Sequence, residues 1–277
     1  MNISACTRGG RVREDLVFDV GLHKGEDSAY YLRKGFKVVA IDANPELIEL
    51  SKKRFAGNER ITVVFGAIAR GEGKVRFFVD KESVWGTVDP DWAARNTRLG
   101  STHHQIDVPI FDIRQAFEKW GIPYYLKLDI EGREDVIIDA MGEFPDRPTY
   151  ISMESEKTSF RKLIHELRKL RHLGYQRFKV VPQVYIPNSS IRAIDRNGSV
   201  FDYTFEEGAS GPFGEDLSGR WITFAEAASR YAFIFIQYKL FGDDGLMFRI
   251  KCGRLIHRLL MGCFGAFPGW YDTHAKL

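Results

Sequence analysis

The 277-residue chain has few cysteines, no long apolar run and little excess charge, and each scarcity excludes something. Its three cysteines, Cys6, Cys252 and Cys263, are scattered and odd in number. They make no CxxC pair and no metal-ligand spacing, which argues against a disulfide framework and fits a reducing cytoplasm. The longest apolar stretch, YAFIFIQYKLF (231–241), falls well short of the roughly 20 residues a bilayer-spanning helix needs. The first fifteen residues carry three arginines and no apolar core, so no secretory signal is expected. A formal net charge of +3 is too small to point to nucleic acid. With 44% hydrophobic and 28% charged residues, the chain is neither disordered, collagenous nor a coiled coil.

What is present is an alternation. Near-continuous apolar runs at LVFDV (16–20), KVVAID (37–42), ITVVFGAI (61–68), YYLKLDI (124–130) and TYISME (149–154) read as parallel strands covered on both faces. Short amphipathic helices fit 26–34 and 46–55, the second opened by Asn44 as N-cap and Pro45 at the first helical position. Strand, helix, strand, helix, strand is the α/β doubly wound pattern, with a mostly parallel sheet. Further strands are expected within 71–80, 108–113 and 175–183, and helices over 114–120, 157–173, 223–241 and 246–261. A long loop with one helical turn at 90–95 is expected before 108, and residues 186–221 read as a long polar excursion. Residues 1–150 sum to −2 and residues 151–277 to +5. We expect one extended structural unit, a catalytic domain over 1–183 and an extension over 184–277 that caps the substrate side.

Chemistry concentrates at strand ends. VFDVGLHKGE (17–26) places Asp19, Gly21, His23 and Gly25 on a tight turn between a strand and a helix. Gly21 permits close backbone approach, and Gly25 lets the helix start near the strand. The dehydrogenase fingerprint G-x-G-x-x-G is absent. A carboxylate at Asp19 suits a cofactor with an ammonium group rather than a diphosphate. Asp42, ending the second strand, can accept hydrogen bonds from both ribose hydroxyls. The two acids together favour a nucleoside with a free ribose and an amino-acid tail, a description that S-adenosyl-L-methionine fits. Ala67 and Ile68 suit the edge of an adenine ring.

With these residues in place the chain resembles the FkbM-type family of class I S-adenosylmethionine-dependent methyltransferases, over about residues 16–154. The resemblance rests on VFDVGLHKGE, on AIDANP (40–45), on GAI (66–68), and most specifically on YLKLDIEGRE (125–134). The family pattern usually has Asn where this chain has His23. The resemblance implies a Rossmann-like seven-stranded sheet with a reversed last strand. It also implies O-methylation of a hydroxyl on a sugar, glycan, polyketide or similar metabolite.

Methyl transfer needs an oxygen held in line with the methyl carbon and a group to take one proton. Asp129 is expected to line the sulfonium and methionine part. Glu131 is expected to face substrate as base or hydrogen-bond acceptor. Asp129 with Glu154 is an optional Mg²⁺ pair, although the adjacent Asp-Asn pair of metal-dependent O-methyltransferases is missing. His103, His104 and His274 are candidate bases, and His104, Glu154 and Trp85, with Trp92 beside it, are candidate substrate contacts. Two other functions stay open. The basic helix 157–173 would suit a nucleic-acid methyltransferase or binding module. The basic stretch 249–258 before an apolar tail would suit a non-catalytic, membrane-associated cofactor-binding protein. No nucleic-acid partner is expected, and the sequence leaves the oligomeric state undetermined.

Overall fold

The computed structural model describes residues 11–80, 86–88, 97, 102–130, 132–156, 159–241 and 269–277. The strands, in chain order, are β1 (Val12–Val20), β2 (Lys37–Asp42), β3 (Ile61–Phe65), β4 (Ala67–Ile68), β5 (Lys74–Asp80), β6 (His103–Phe111), β7 (Ile122–Leu128), β8 (Tyr150–Glu154), β9 (Arg177–Pro182), β10 (Ser190–Ile194), β11 (Val200–Thr204) and β12 (Tyr271–Lys276). The helices are α1 (Glu26–Arg33), α2 (Pro45–Arg54), α3 (Ile113–Trp120), α4 (Glu134–Met141), α5 (Phe160–His172) and α6 (Phe224–Phe241). Asn44 caps α2 through its side chain, which accepts from the Glu46 N–H, with Pro45 following.

Seven strands form the central sheet in the order β3-β2-β1-β7-β8-β12-β9. All run parallel except β12, which pairs antiparallel with both β8 and β9. This is a Rossmann-like, doubly wound α/β sheet with the chain's last strand reversed, the arrangement the resemblance implies. The apolar runs are continuous because both faces are covered. One face packs against α3, α4, α5 and α6 through residues such as Phe117, Ile138, Leu167 and Tyr231. The other packs against α1 and α2 through Tyr30, Tyr31 and Ile48. The second core is rich in aromatics, and Phe213 stacks on Tyr125 with ring centroids 4.0 Å apart.

Several elements differ from the sequence expectation, among them β12, a strand whose place the sequence does not predict. The run 61–68 is one apolar string, but it breaks at Gly66, where a Cβ would lie 2.7 Å from that of Phe111. Its tail, β4, leaves the central sheet and joins a three-stranded sheet in the order β4-β6-β5. Strand β6 starts at His103, so the loop before it is shorter than expected. The excursion contains a hairpin, β10–β11, whose turn is closed by the Asp195 carboxylate accepting from the Asn197 and Ser199 N–H groups. The expected helical turn at 90–95 and helix over 246–261 lie outside the described residues.

The described residues after 184 (up to 241, and 269–277) are bound into the body at several places. Phe201, Phe205 and Phe213 cover the α1 face of the sheet. Residues 207–210 and Trp270 reach the carboxyl ends of the strands. Strand β12 fills the gap between β8 and β9. The segment GPFGEDLSGRW (211–221) serves as a staple: Glu215 accepts from Tyr150 Oη and Trp221 Nε1, and Asp216 accepts from Tyr30 Oη and Lys34.

Candidate functional site

A cavity of about 470 Å³ opens where β1, β2, β7, β8 and β9 end. Its position follows from topology. The sheet order reverses direction beside β1, and α/β sheets of this kind bind ligands outside the carboxyl ends at that point. The volume is within the usual range for a cofactor-sized ligand.

The glycine turn is held from beneath by a buried cation. Lys127 Nζ, 3% exposed, lies 3.2 Å from Asp19 Oδ1, 3.1 Å from Asp27 Oδ2 and 3.5 Å from Asp129 Oδ2. It also donates to the Gly21 carbonyl at 3.0 Å. Ser28 Oγ donates to the other Asp19 oxygen at 2.6 Å. Burial works against the ammonium charge, yet Asp19, Asp27 and Asp129 together hold its pKa well above the ordinary lysine value. Burial pushes Asp19 up to about 7; the Lys127 charge pulls it down and the Asp27 charge adds to the rise. The Gly21 backbone has φ 90, and a Cβ there would stand 1.9 Å from the Asp129 carbonyl oxygen. Only glycine permits that approach of β1 to β7. Gly25, at φ 84, lies against the Phe55 ring at the start of α1.

Asp42 ends β2 on the cavity wall. Its Oδ2 accepts from the His23 N–H at 2.9 Å and its Oδ1 from the Asn44 N–H at 2.8 Å. Burial raises its pKa despite these bonds. Each oxygen keeps acceptor capacity toward the cavity, as a ribose diol requires. Gly66, Ala67 and Ile68, with Phe77 and Val88, form an apolar wall beside it, which suits a flat purine. His23 adopts φ 53, the left-handed region, and its Nδ1 lies 3.0 Å from Glu26 Oε1. This donor set fits a nucleoside with an amino-acid tail: an acid for the ribose, an apolar slot for the base, and Asp129 and His23 lining the cavity near the glycine turn.

The wall formed by β8, β12 and β9 has a different character. Glu154 and Asp272 are cross-strand partners, and both line the cavity with Asp129. Burial first, then the Asp129 and Glu154 charges, push Asp272 well above the ordinary carboxylate range. Gln183 reaches into the same region, 5% exposed, and its Nε2 has no hydrogen-bond partner among the described residues. Trp270, 49% exposed, borders it.

The structure thus gathers Gly21, His23, Asp42, Ala67, Ile68, Asp129 and Glu154 around one cavity. Other expectations change. Asp19 does not line the cavity; its cationic partner is Lys127, not a cofactor ammonium. Gly25 acts one step back, by setting α1 against Phe55. His104 is exposed on β6, facing Val79 across the ladder, and does not reach the cavity; His103 is its neighbour there, with its ring against Phe78. Glu131, Trp85 and Trp92 lie outside the described residues. Among the described residues no group of three or more His, Cys, Asp or Glu is arranged to hold a metal ion, so the Mg²⁺ option on Asp129 and Glu154 finds no support.

His274 is the plainest correction. It lies in β12 between Lys179 and Ser152, 2% exposed and away from the cavity. Burial, with the Lys179 charge, lowers its pKa to about 3, so it is neutral and sealed rather than a base. This has a consequence for stability. Between its ordinary 6.5 and about 3, the unfolded imidazole takes up a proton that the folded one refuses. Stability should therefore fall as pH is lowered through this window, by about 1 kcal/mol per pH unit. Relative to His274→Leu, wild type should lose urea resistance between pH 7 and pH 5. Parallel profiles would remove the explanation.

Lys127, Asp27, Asp272, Gln183 and Glu134 escaped the sequence reading. Glu134 accepts from the Ile130 and Gly132 N–H groups and so shapes the turn after β7. The signal for Lys127 and Glu134 was present, since both stand inside YLKLDIEGRE. Asp272 and Gln183 carried no motif.

A family model for the methyltransferase FkbM domain matches residues 19–177. No curated protein matches the chain. Solved structures similar to it include precorrin-6y C5,15-methyltransferase from Geobacter metallireducens, 12% identical, covering 70% of this chain and 78% of that one at a TM-score of 0.36. A SAM-dependent O-methyltransferase from Thermotoga maritima is 15% identical, with 71% and 57% covered and a TM-score of 0.36. Aeropyrum pernix fibrillarin in complex with natively bound S-adenosyl-L-methionine is 10% identical, with 64% and 61% covered and a TM-score of 0.35. Similarity at that level says nothing about substrate. The family match spans more than half of the chain, and with it the glycine turn, Asp42 and the Lys127–Asp129 strand end converge: the chain belongs to the FkbM-domain methyltransferase family and is an S-adenosylmethionine-dependent methyltransferase.

Proposed function

We propose that the protein methylates a hydroxyl of a sugar, glycan or natural-product metabolite. The observation that carries this reading is the carboxylate-lined wall of Asp129, Glu154 and Asp272 beside Gln183, whose Nε2 has no hydrogen-bond partner among the described residues. When bound, S-adenosylmethionine supplies an electrophilic methyl group. The chain must hold an acceptor oxygen and take its proton. A carboxylate wall accepts hydrogen bonds from hydroxyl donors, and Gln183 Nε2 offers a donor to a neighbouring acceptor on the same molecule. A polyhydroxylated acceptor presents both kinds of group. Asp272, with its raised pKa, is a stronger base than an ordinary carboxylate and is a candidate proton acceptor with Glu154. Glu131 remains a proposed base from the sequence motif. The basic face of α5 contributes no residue to the cavity wall, which weighs against a nucleic-acid acceptor.

The test is label transfer from methyl-labelled cofactor to three acceptor pools: methyl glycosides and glycans, hydroxylated natural products, and RNA. Label stable to mild base in the first or second pool supports an ether product. Label confined to RNA, or lost in base as an ester, would sink the proposal. Gln183→Leu sharpens it. Removing a buried donor that lacks a partner should leave the free protein as stable or up to about 2 kcal/mol more stable, while KM for the acceptor rises about tenfold. A variant that loses stability and keeps its KM would assign Gln183 to the scaffold instead.

A further inference from the structure

Helix α6 is apolar on nearly every side, FAEAASRYAFIFIQYKLF. A helix of that kind is normally buried all round. Here only one side is. Ala227, Tyr231, Ile234 and Phe235 pack into the core, whereas Phe233, Ile236 and Leu240 are 61%, 54% and 37% exposed. Their i, i+3, i+7 spacing puts them on one outward row. Large apolar side chains grouped on a surface mark a contact site.

The neighbouring surface carries positive charge. Helix α5 lies antiparallel beside α6, with Phe160 against Phe235 at one end and Arg171 over Phe224 at the other. Phe160 is itself 37% exposed and extends the apolar patch. Leu163, Leu167 and Leu170 face the core, which turns Arg161, His165, Arg168 and His172 to solvent. Among the described residues, no acid pairs with Arg161 or Arg168. Lys239 adds a further exposed cation on α6. The α6 end is also tied to the cavity rim, because Tyr238 Oη donates to the Gly269 carbonyl at 2.7 Å, next to Trp270. Among the described residues no helix is long and apolar enough to cross a membrane.

We propose that the α5–α6 face docks the protein onto an anionic lipid surface. An apolar row that enters the acyl boundary, flanked by cations that meet the headgroups, is the arrangement of interfacial helices. A second copy of the chain is a poorer occupant, since a twofold contact would bring the Arg161 and Arg168 rows of both copies together. Neutral lipid would leave those cations unmatched. The proposal is independent of the acceptor identity.

The test is co-sedimentation of the full chain with vesicles of pure phosphatidylcholine and with vesicles holding about 30 mol % phosphatidylserine, at low and high salt. Wild type should partition at least about tenfold better onto the anionic vesicles, and salt should weaken it. Phe233→Glu/Ile236→Glu and, separately, Arg161→Glu/Arg168→Glu should each lose about tenfold or more in binding while keeping the wild-type melting temperature and S-adenosylhomocysteine affinity. Three results overturn the proposal: no binding of wild type to anionic vesicles, undiminished binding by both variants, or a dimer in solution that Phe233→Glu/Ile236→Glu dissociates.

Discussion

Replacing Lys127 by methionine should destabilise the protein by about 3–5 kcal/mol, the loss expected when one partner of a buried ion cluster is removed. The ammonium is 3% exposed and stands between Asp19 and Asp27, themselves buried. Without it two carboxylates face each other in a dry interior, and the Gly21 carbonyl loses its donor. The pH dependence has a definite sign. Asp19 already titrates at about 7 in the folded protein, above its unfolded value, so its charge opposes folding above that pH. The penalty fades as pH falls toward the ordinary aspartate range. Removing Lys127 raises the carboxylate pKa further and enlarges this effect. The variant should therefore lie further below wild type at pH 8 than at pH 5 in urea titrations. Adding Asp19→Asn to Lys127→Met should recover part of the loss, since one stranded charge is gone. A single substitution costing less than about 1 kcal/mol would show that the cluster is not buried as described.

The second large effect falls on cofactor binding. Asp42→Ala should weaken S-adenosylhomocysteine binding about 100-fold, equivalent to two lost hydrogen bonds to a charged group. Part of that loss comes from the turn, because Asp42 also accepts the His23 and Asn44 N–H groups. Asp42→Asn keeps one acceptor oxygen and should fall between the two in calorimetric titration. Unchanged affinity in Asp42→Ala, in a variant that still folds, would remove Asp42 from the ribose site. Failure of wild type to bind at all would count against the cofactor reading of the cavity, whereas failure of lipid binding would leave that reading intact.

The parts of the site visible in the sequence are those whose geometry is local. Asp42 and Gly21 stand at strand ends, and a strand end followed by a turn fixes where the next side chains point. His23 shows the same logic. Its φ of 53 is a conformation that Asn and His tolerate better than most residues. Asp19 misled because a carboxylate under a glycine turn looks like a ligand until its partner is known. That partner, Lys127, is 108 positions away in the chain and adjacent in the sheet. His274 misled for a related reason. A histidine titrates near neutrality and so suits a base wherever solvent reaches it, but this one lies in an interior strand, sealed between β8 and β9.

The sequence by itself determined the α/β class, the positions of six of the seven central strands, the glycine turn and the acid that ends β2. All of these follow from apolar periodicity and from the backbone needs of a few residues. Tertiary structure decided the rest. It placed β12 antiparallel inside the sheet, and so brought Asp272 beside Glu154 and buried His274. It set Lys127 among three acids, placed Gln183 at the cavity wall with its Nε2 lacking a partner among the described residues, and left Phe233, Ile236 and Leu240 of α6 exposed. These are contacts between segments far apart in the chain, and their energies depend on burial and distance. Neither quantity is written in local pattern.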